Sequence, residues 1–376
     1  MKPLQMCDLS GQYEKIKDAI NENIQSVLNT NSYINGPLVK DFQLDLEKYL
    51  DVKHVIPCAN GTDALQIAMM GLGLKPGDEV ITADFTFAAT VETIALLQLI
   101  PVLVDVDMSS MNISIEKLKQ AITPKTKAII PVHLFGRAAN MEAIMAIANE
   151  HNLFVIEDNA QAIGADYTFK DGRKQKVGTI GHVGATSFFP SKNLGCYGDG
   201  GALFTNDDEL AHTIRGIANH GMYTRYYHDV VGVNSRLDSI QAGVLKVKLP
   251  FLNDYSQARQ NAARQYNEVL GKSKNIWVPT ICETCDCHVF HQYVIRILNG
   301  KRDELFTHLQ EKSIPCAIYY PVPLHSQKAY ADSRYKEEDF PVTNQLVQEV
   351  IALPMHTELE SDQIAYITQT IIDFVD

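Results

Sequence analysis

Between about residue 50 and residue 205 the chain alternates short apolar runs with helix-patterned stretches, and this alternation constrains the fold more than any other feature. HVIPCA precedes TDALQIAMMGLGL, and EVITADFTF precedes AATVETIALLQL. PVLVDVD, AIIPVHLFG, FVIEDNA and ATSFFPS are further apolar runs, with NMEAIMAIANEHN as a helix between two of them. Strands alternating with helices imply βαβ units and a mostly parallel sheet covered on both faces. Ligands of such sheets bind at the carboxyl ends of the strands. The run ends of this chain are therefore where functional residues are expected.

After about residue 240 the pattern changes. SIQAGVLKVKLPFLNDYSQARQNAARQYNEVLG reads as a long helix bent or broken at Pro250, followed by strand-like HQYVIRI, helical RDELFTHLQEK, short IPCAIYY and a C-terminal helix, SDQIAYITQTIIDFV. The expected organisation is a large α/β domain over 1–245, its N-terminal helix included, and a smaller α/β domain over 246–376 with a linker helix. A length of 376 residues suits such a pair.

Charge and apolar runs narrow the function classes. A net charge of −12 argues against nonspecific nucleic-acid binding, which needs a basic face. No apolar run approaches the ~20 residues that cross a bilayer, and the first residues lack a signal-peptide core, so a cytoplasmic protein is expected. The seven cysteines are then expected to be reduced. Cys282, Cys285, Cys287, His288 and His291 fall in CETCDCHVFH, a metal-like spacing without a second ligand pair. Unligated thiols on a loop are the favoured reading, and no metal is expected.

Three run ends carry chemistry. Asn60-Gly61-Thr62-Asp63 ends the first run as a helix begins, with Gly61 allowing close backbone approach and Thr62 able to cap the helix; a helix N-terminus holds phosphate readily, although a plain cap is the commoner meaning. FVIEDNAQ brings Asp158 to a strand end beside a buried sheet, where a carboxylate needs a cation, or else caps the next helix. Glu157 points the opposite way and needs no special role. TSFFPSKNLGCYGDGG supplies Ser187 and Lys192 among glycines, and a lysine in a low-dielectric site becomes a nucleophile towards carbonyls. Phosphate cradle, carboxylate and lysine together are the kit for pyridoxal 5'-phosphate, with Lys192 forming the Schiff base and Asp158 pairing with the pyridine nitrogen.

These runs resemble the DegT/StrS-type nucleotide-sugar aminotransferases, which have the fold-type-I pyridoxal-phosphate architecture. The resemblance spans nearly the whole chain and includes SYINGP, NGTDAL, PGDEVIT, FTFAAT, VIEDNAQ, TSFFPSKNLGCYGDGGALFTND, NHG and VGVNSRLDSIQAGVL. It implies that Lys192 and Asp158 are catalytic, that Gly61, Thr62 and Ser187 bind the cofactor phosphate, that Phe85 stacks on its ring and that Gln161 lies near the ring hydroxyl. It further implies a homodimer with shared sites, Asn234 reaching the partner's cofactor phosphate and Arg236 entering beside it. Tyr319 and Tyr320 are expected sugar contacts, in a segment where family members often carry His-Tyr-Pro rather than Tyr319-Tyr320-Pro321. A branch that dehydrates carries histidine in place of the lysine, so Lys192 points to amino transfer, with glutamate as the expected donor.

CANGTDALQ, SFFPSKNLGCYGDGGA, VGVNSRLDS and LPMH are most similar to the branch acting on UDP-2-acetamido-2-deoxy-3-oxo-glucuronate, in surface polysaccharide biosynthesis. The alternatives are a dTDP-linked 3- or 4-keto-6-deoxysugar as acceptor, or a non-catalytic sugar-binding regulator on the same fold.

Overall fold

The computed structural model describes residues 2–281 and 287–376. Two helices lead, α1 (Leu9–Thr30) and α2 (Pro37–Leu50). Strands and helices then alternate as expected: β1 (His54–Cys58), α3 (Gly61–Gly71), β2 (Glu79–Ala83), α4 (Ala89–Leu96), β3 (Ile100–Val104), α5 (Ile115–Ala121), β4 (Thr126–Ile130), α6 (Met141–His151) and β5 (Phe154–Asp158). A hairpin of β6 (Asp166–Thr168) and β7 (Lys174–Lys176) leads to β8 (Val183–Ser187), β9 (Gly201–Thr205) and α7 (Asp208–Ala218). A second hairpin, β10 (Met222–Thr224) and β11 (Tyr227–His228), precedes α8 (Ser239–Lys248) and α9 (Leu252–Leu270). The remainder is β12 (Ile276–Trp277), β13 (Tyr293–Ile297), α10 (Arg302–Glu311), α11 (Pro341–Glu349), β14 (Val350–Leu353) and α12 (Ser361–Val375).

Seven strands form the main sheet in the order β1-β9-β8-β5-β4-β2-β3. Only β9 runs antiparallel to its neighbours, so the other six strands end along one edge. Helices cover both faces, which is why these strands read as continuous apolar runs rather than alternating ones. One core holds Ile56, Leu65, Ile130, Ile156 and Leu203 with residues of α3 and α7. Another joins Ile81, Ile129 and Val155 to α6.

That second core also contains Val294, Leu346, Val350 and Ala352, so the C-terminal unit is packed onto the large sheet rather than tethered to it. The C-terminal unit adds an antiparallel sheet, β12-β13-β14, backed by α9, α10 and α12. The long helix breaks where expected. Pro250 lies in a 3₁₀ turn, Leu249–Phe251, between α8 and α9, because proline offers no N–H to the helix ladder. The first residues sit against the C-terminal unit, where Leu4 joins its core and Met6 accepts a hydrogen bond from the Met355 amide. Among the described residues no helix is long and apolar enough to cross a membrane.

Candidate active site

The edge where the parallel strands end opens into a cavity of about 830 Å³. Its first wall is the start of α3. Asn60, not Thr62, caps this helix, its side chain accepting from the Asp63 amide at 2.8 Å. Thr62 instead lies on the cavity wall beside Gly61. The amides of Gly61 and Thr62 are first-turn donors without an intrahelical acceptor. A Cβ on Gly61 would lie 2.8 Å from the Ser187 Cβ, so glycine is what lets the helix start sit against the end of β8. Two bare amides and the Ser187 hydroxyl thus frame one corner, at the positive end of a helix dipole.

The second wall is the end of β5, where two neighbouring acids part company. Asp158 faces the cavity and is 5% exposed. Thr90 donates to its Oδ2 at 2.8 Å and the Ala160 amide to its Oδ1 at 3.2 Å. Burial pushes its carboxyl above the usual range, against the pull of those bonds and of Lys192. Glu157, fully buried on the other face, accepts from the amides of Gly178 (2.9 Å), Ile180 and Gly181 (2.6 Å each). His133 completes its set. The Ala139 amide donates to Nδ1 of His133, leaving the proton on Nε2, which donates to Glu157 Oε2 at 2.9 Å. Glu157 therefore has a structural role that its position in the sequence did not suggest: it organises the backbone that leads into β8.

The third wall is the loop after β8. It turns so tightly that a Cβ on Gly195 would strike the Pro190 carbonyl. The Cys196 amide donates to the Phe188 carbonyl at 2.8 Å, and the Lys192 amide to the Phe189 carbonyl at 2.8 Å. Lys192 reaches the cavity and is its only lysine or arginine among the described residues. Burial lowers its ammonium from the ordinary value to about 8, with Asp158 opposing the shift.

The remaining expected residues divide. Gln161, Tyr319 and Tyr320 are on the cavity wall. Gln161 accepts from the Phe135 amide at 2.7 Å and donates to the Tyr320 hydroxyl at 3.3 Å. Phe85 is not on the wall. It is 1% exposed, edge-on to Phe135 and Tyr320, in the core behind the cavity. Phe87, two residues on, is 58% exposed and lines the cavity, so it is the aromatic able to meet a flat ligand. The resemblance placed the ring contact at Phe85; the two residues have the same strand parity, and the chain past the end of β2 at Ala83 buries Phe85 while leaving Phe87 on the cavity wall. His291 and Gln292, which sequence reasoning did not place here, also line the cavity.

Asn234 and Arg236 do not line this cavity. Asn234 is exposed in a segment held against α3, where Ser235 donates to Asp63 at 2.7 Å. Of the cysteine-rich run, Cys282 and Cys285 lie outside the described residues. His288 is buried and stacked on Phe290 with ring centroids 3.7 Å apart, while His291 faces the cavity. Among the described residues no His, Cys, Asp or Glu cluster could hold a metal.

Comparison with known proteins completes the picture. Residues 14–372 match the model of the DegT/DnrJ/EryC1/StrS aminotransferase family. A pleiotropic regulatory protein of Geobacillus stearothermophilus is 46% identical, over 98% of each chain. UDP-2-acetamido-2-deoxy-3-oxo-D-glucuronate aminotransferase of Pseudomonas aeruginosa is 47% identical over 97% of this chain and 98% of its own. UDP-N-acetyl-3-dehydro-alpha-D-glucosamine 3-aminotransferase of Acidithiobacillus ferrooxidans is 43% identical over 97% and 96%. A DegT/DnrJ/EryC1/StrS aminotransferase from Brucella abortus superposes with a TM-score of 0.94, at 44% identity over 99% of each chain. A Bacillus subtilis protein solved with bound pyridoxamine phosphate reaches 0.88 at 29% identity, over 96% of this chain and 82% of its own.

Proposed function

The chain belongs to the DegT/DnrJ/EryC1/StrS aminotransferase family, and on that premise we propose that it transfers the amino group of glutamate to UDP-2-acetamido-2-deoxy-3-oxo-glucuronate, with pyridoxal 5'-phosphate as cofactor. The observation that carries this reading is the convergence of Lys192, Asp158 and the Gly61–Thr62 helix start on one cavity.

The residues fit the cofactor. The corner of bare amides between Gly61 and Ser187 suits a phosphate, and a side chain at Gly61 would fill it. Asp158 is an under-partnered buried carboxyl, and a protonated pyridine nitrogen is the cation it lacks. Phe87 supplies an exposed aromatic ring on the cavity wall. When bound, pyridoxal phosphate supplies an electron sink for the carbon bearing the amino group. Lys192 supplies the base. With its ammonium lowered to about 8, a useful fraction is free amine near neutrality, and Nζ takes the proton from the donor's α-carbon. Tyr320, Gln161 and Phe135, bonded and stacked on one another, form a further part of the cavity wall.

Both substrates are anionic, yet among the described residues the wall has Asp63, Asp158 and Asp199 and only Lys192 as a lysine or arginine. Further cations must come from elsewhere. Asn234 and Arg236 follow a hairpin whose Tyr226 (75% exposed), Tyr227 and Val231 (85% exposed) are apolar surface seeking cover. A homodimer in which each copy lends Asn234 and Arg236 to the other's cavity meets both needs. The planar fork of Arg236 suits the uronate carboxylate.

Turnover of the acidic 3-oxo sugar against its neutral 6-hydroxy counterpart tests the reading. Arg236→Ala should depress the acidic substrate selectively; equal losses on both would remove the carboxylate role, and better turnover of a dTDP-linked neutral ketosugar would remove the substrate assignment. Bleaching of the cofactor's absorption band on adding glutamate distinguishes this enzyme from a sugar-binding regulator.

A further inference from the structure

The loop that carries Lys192 has a second buried lysine on its far side. Lys248, at the last turn of α8, is 1% exposed. Its Nζ donates to the Gly195 carbonyl at 2.8 Å and stands 4.4 Å from the centroid of the Tyr197 ring. Among the described residues it has no carboxylate partner; a carbonyl dipole and an aromatic face hold its charge, with the Cys196 and Cys7 thiols as its other polar neighbours. Gln241, two turns earlier on the same helix, holds the next part of the loop. Its Oε1 accepts from the Tyr197 amide at 2.8 Å and its Nε2 donates to the Tyr197 carbonyl at 3.3 Å. Between them Leu245 packs into one core with Phe188, Leu194 and Cys196. Residues 241, 245 and 248 share one helical face, and that face is pressed against the loop.

A buried, unpaired lysine is a poor way to stabilise a core, since an apolar side chain of similar length is as good or better there. Burial lowers this ammonium to about 8, the direction expected of a cation taken out of water. What the ammonium does that methionine cannot is hold the Gly195 carbonyl, at a turn already too tight for a side chain. The same helix begins directly after the segment carrying Asn234 and Arg236. A shift of α8 would therefore move the Lys192 loop and that segment together.

We propose that Lys248, with Gln241, is a positioning residue that fixes the Lys192 loop from behind and sets the reach of the reactive amine into the cavity. This rests on the reading of Lys192 as that amine. Lys248→Met tests it by hydrogen exchange of the cofactor-free protein and by steady-state kinetics of the loaded enzyme. The expected result is an unchanged melting temperature, amide exchange about tenfold faster in the peptide spanning 188–198 and unchanged elsewhere, and kcat about tenfold lower with KM for both substrates within twofold. Lys248→Gln, which keeps a donor, should recover most of the kcat. Unchanged exchange at 188–198, faster exchange across the whole chain, or no rescue by glutamine would overturn the proposal. If Lys248→Met does not fold, Gln241→Leu is judged by the same local exchange and the same kcat–KM split. Local exchange that loosens while kcat stays normal would also overturn the proposal, and the turnover of Lys192→Ala measured alongside shows whether Lys192 is the reactive amine, so the two failures stay distinguishable.

Discussion

The two faces of β5 at its carboxyl end separate a scaffold from a working site. Glu157 and Asp158 are adjacent, acidic and buried, yet they live under opposite rules. On one face Glu157 takes three backbone N–H groups and an imidazole N–H, a full complement for a carboxylate. On the other, Asp158 takes one hydroxyl and one amide and leaves lone pairs turned to a cavity. A saturated buried acid anchors backbone, whereas one left short of partners is poised to hold a ligand's cation. Satisfaction, rather than burial or charge, distinguishes them.

Substitutions on the two faces sharpen this comparison. Asp158→Asn should have the largest effect on catalysis, about 4 kcal/mol or ~10³-fold in kcat/KM, because an amide cannot keep the pyridine nitrogen protonated. Its melting temperature should be near that of the parent. Near-normal turnover would reduce Asp158 to a helix cap. Glu157→Gln should invert the pattern. An amide can accept only some of the four hydrogen bonds, so unfolding in denaturant should show a loss of about 3 kcal/mol. The kcat of the surviving folded enzyme should stay within a few-fold. A stable Glu157→Gln protein with collapsed kcat would break the distinction between the faces.

The smallest effects belong to the aromatic pair. Phe87→Ala should weaken cofactor retention by about 1 kcal/mol, roughly five-fold, with stability nearly unchanged. Phe85→Ala should act on stability instead, as a cavity in a core does. The reverse assignment would return the ring contact to Phe85.

The sheet was legible in the chain because its parallel strands are carried by short, largely apolar runs that end at turn signals, as HVIPCA, FVIEDNA and ATSFFPS do. That Lys192, Asp158 and Gly61 would lie on one cavity wall was legible because polar or bare residues stand out at the ends of such runs. Three features were not. The cap fell to Asn60 rather than Thr62 because the helix starts at Gly61, two residues earlier than a cap at Thr62 would give. The aromatic on the cavity wall is Phe87 rather than Phe85, a choice between residues of equal strand parity that depends on how the chain turns once β2 has ended. Glu157, His133 and Lys248 draw their meaning from backbone groups distant in sequence, and nothing in their local pattern announces those partners.

The central claim is that Lys192 is the reactive amine, held ready by burial. Its most direct test is capture of pyridoxal phosphate by the cofactor-free protein as a function of pH, fixed with borohydride and mapped by peptide mass. A lysine reacts as free amine, and a folded-state value of about 8 places the rise in capture around pH 8 rather than near the ordinary lysine value. The account predicts a single labelled peptide containing Lys192, with capture rising through pH 8 and lost in Lys192→Ala. A label on another lysine, or capture that rises only near pH 10.5, would contradict it.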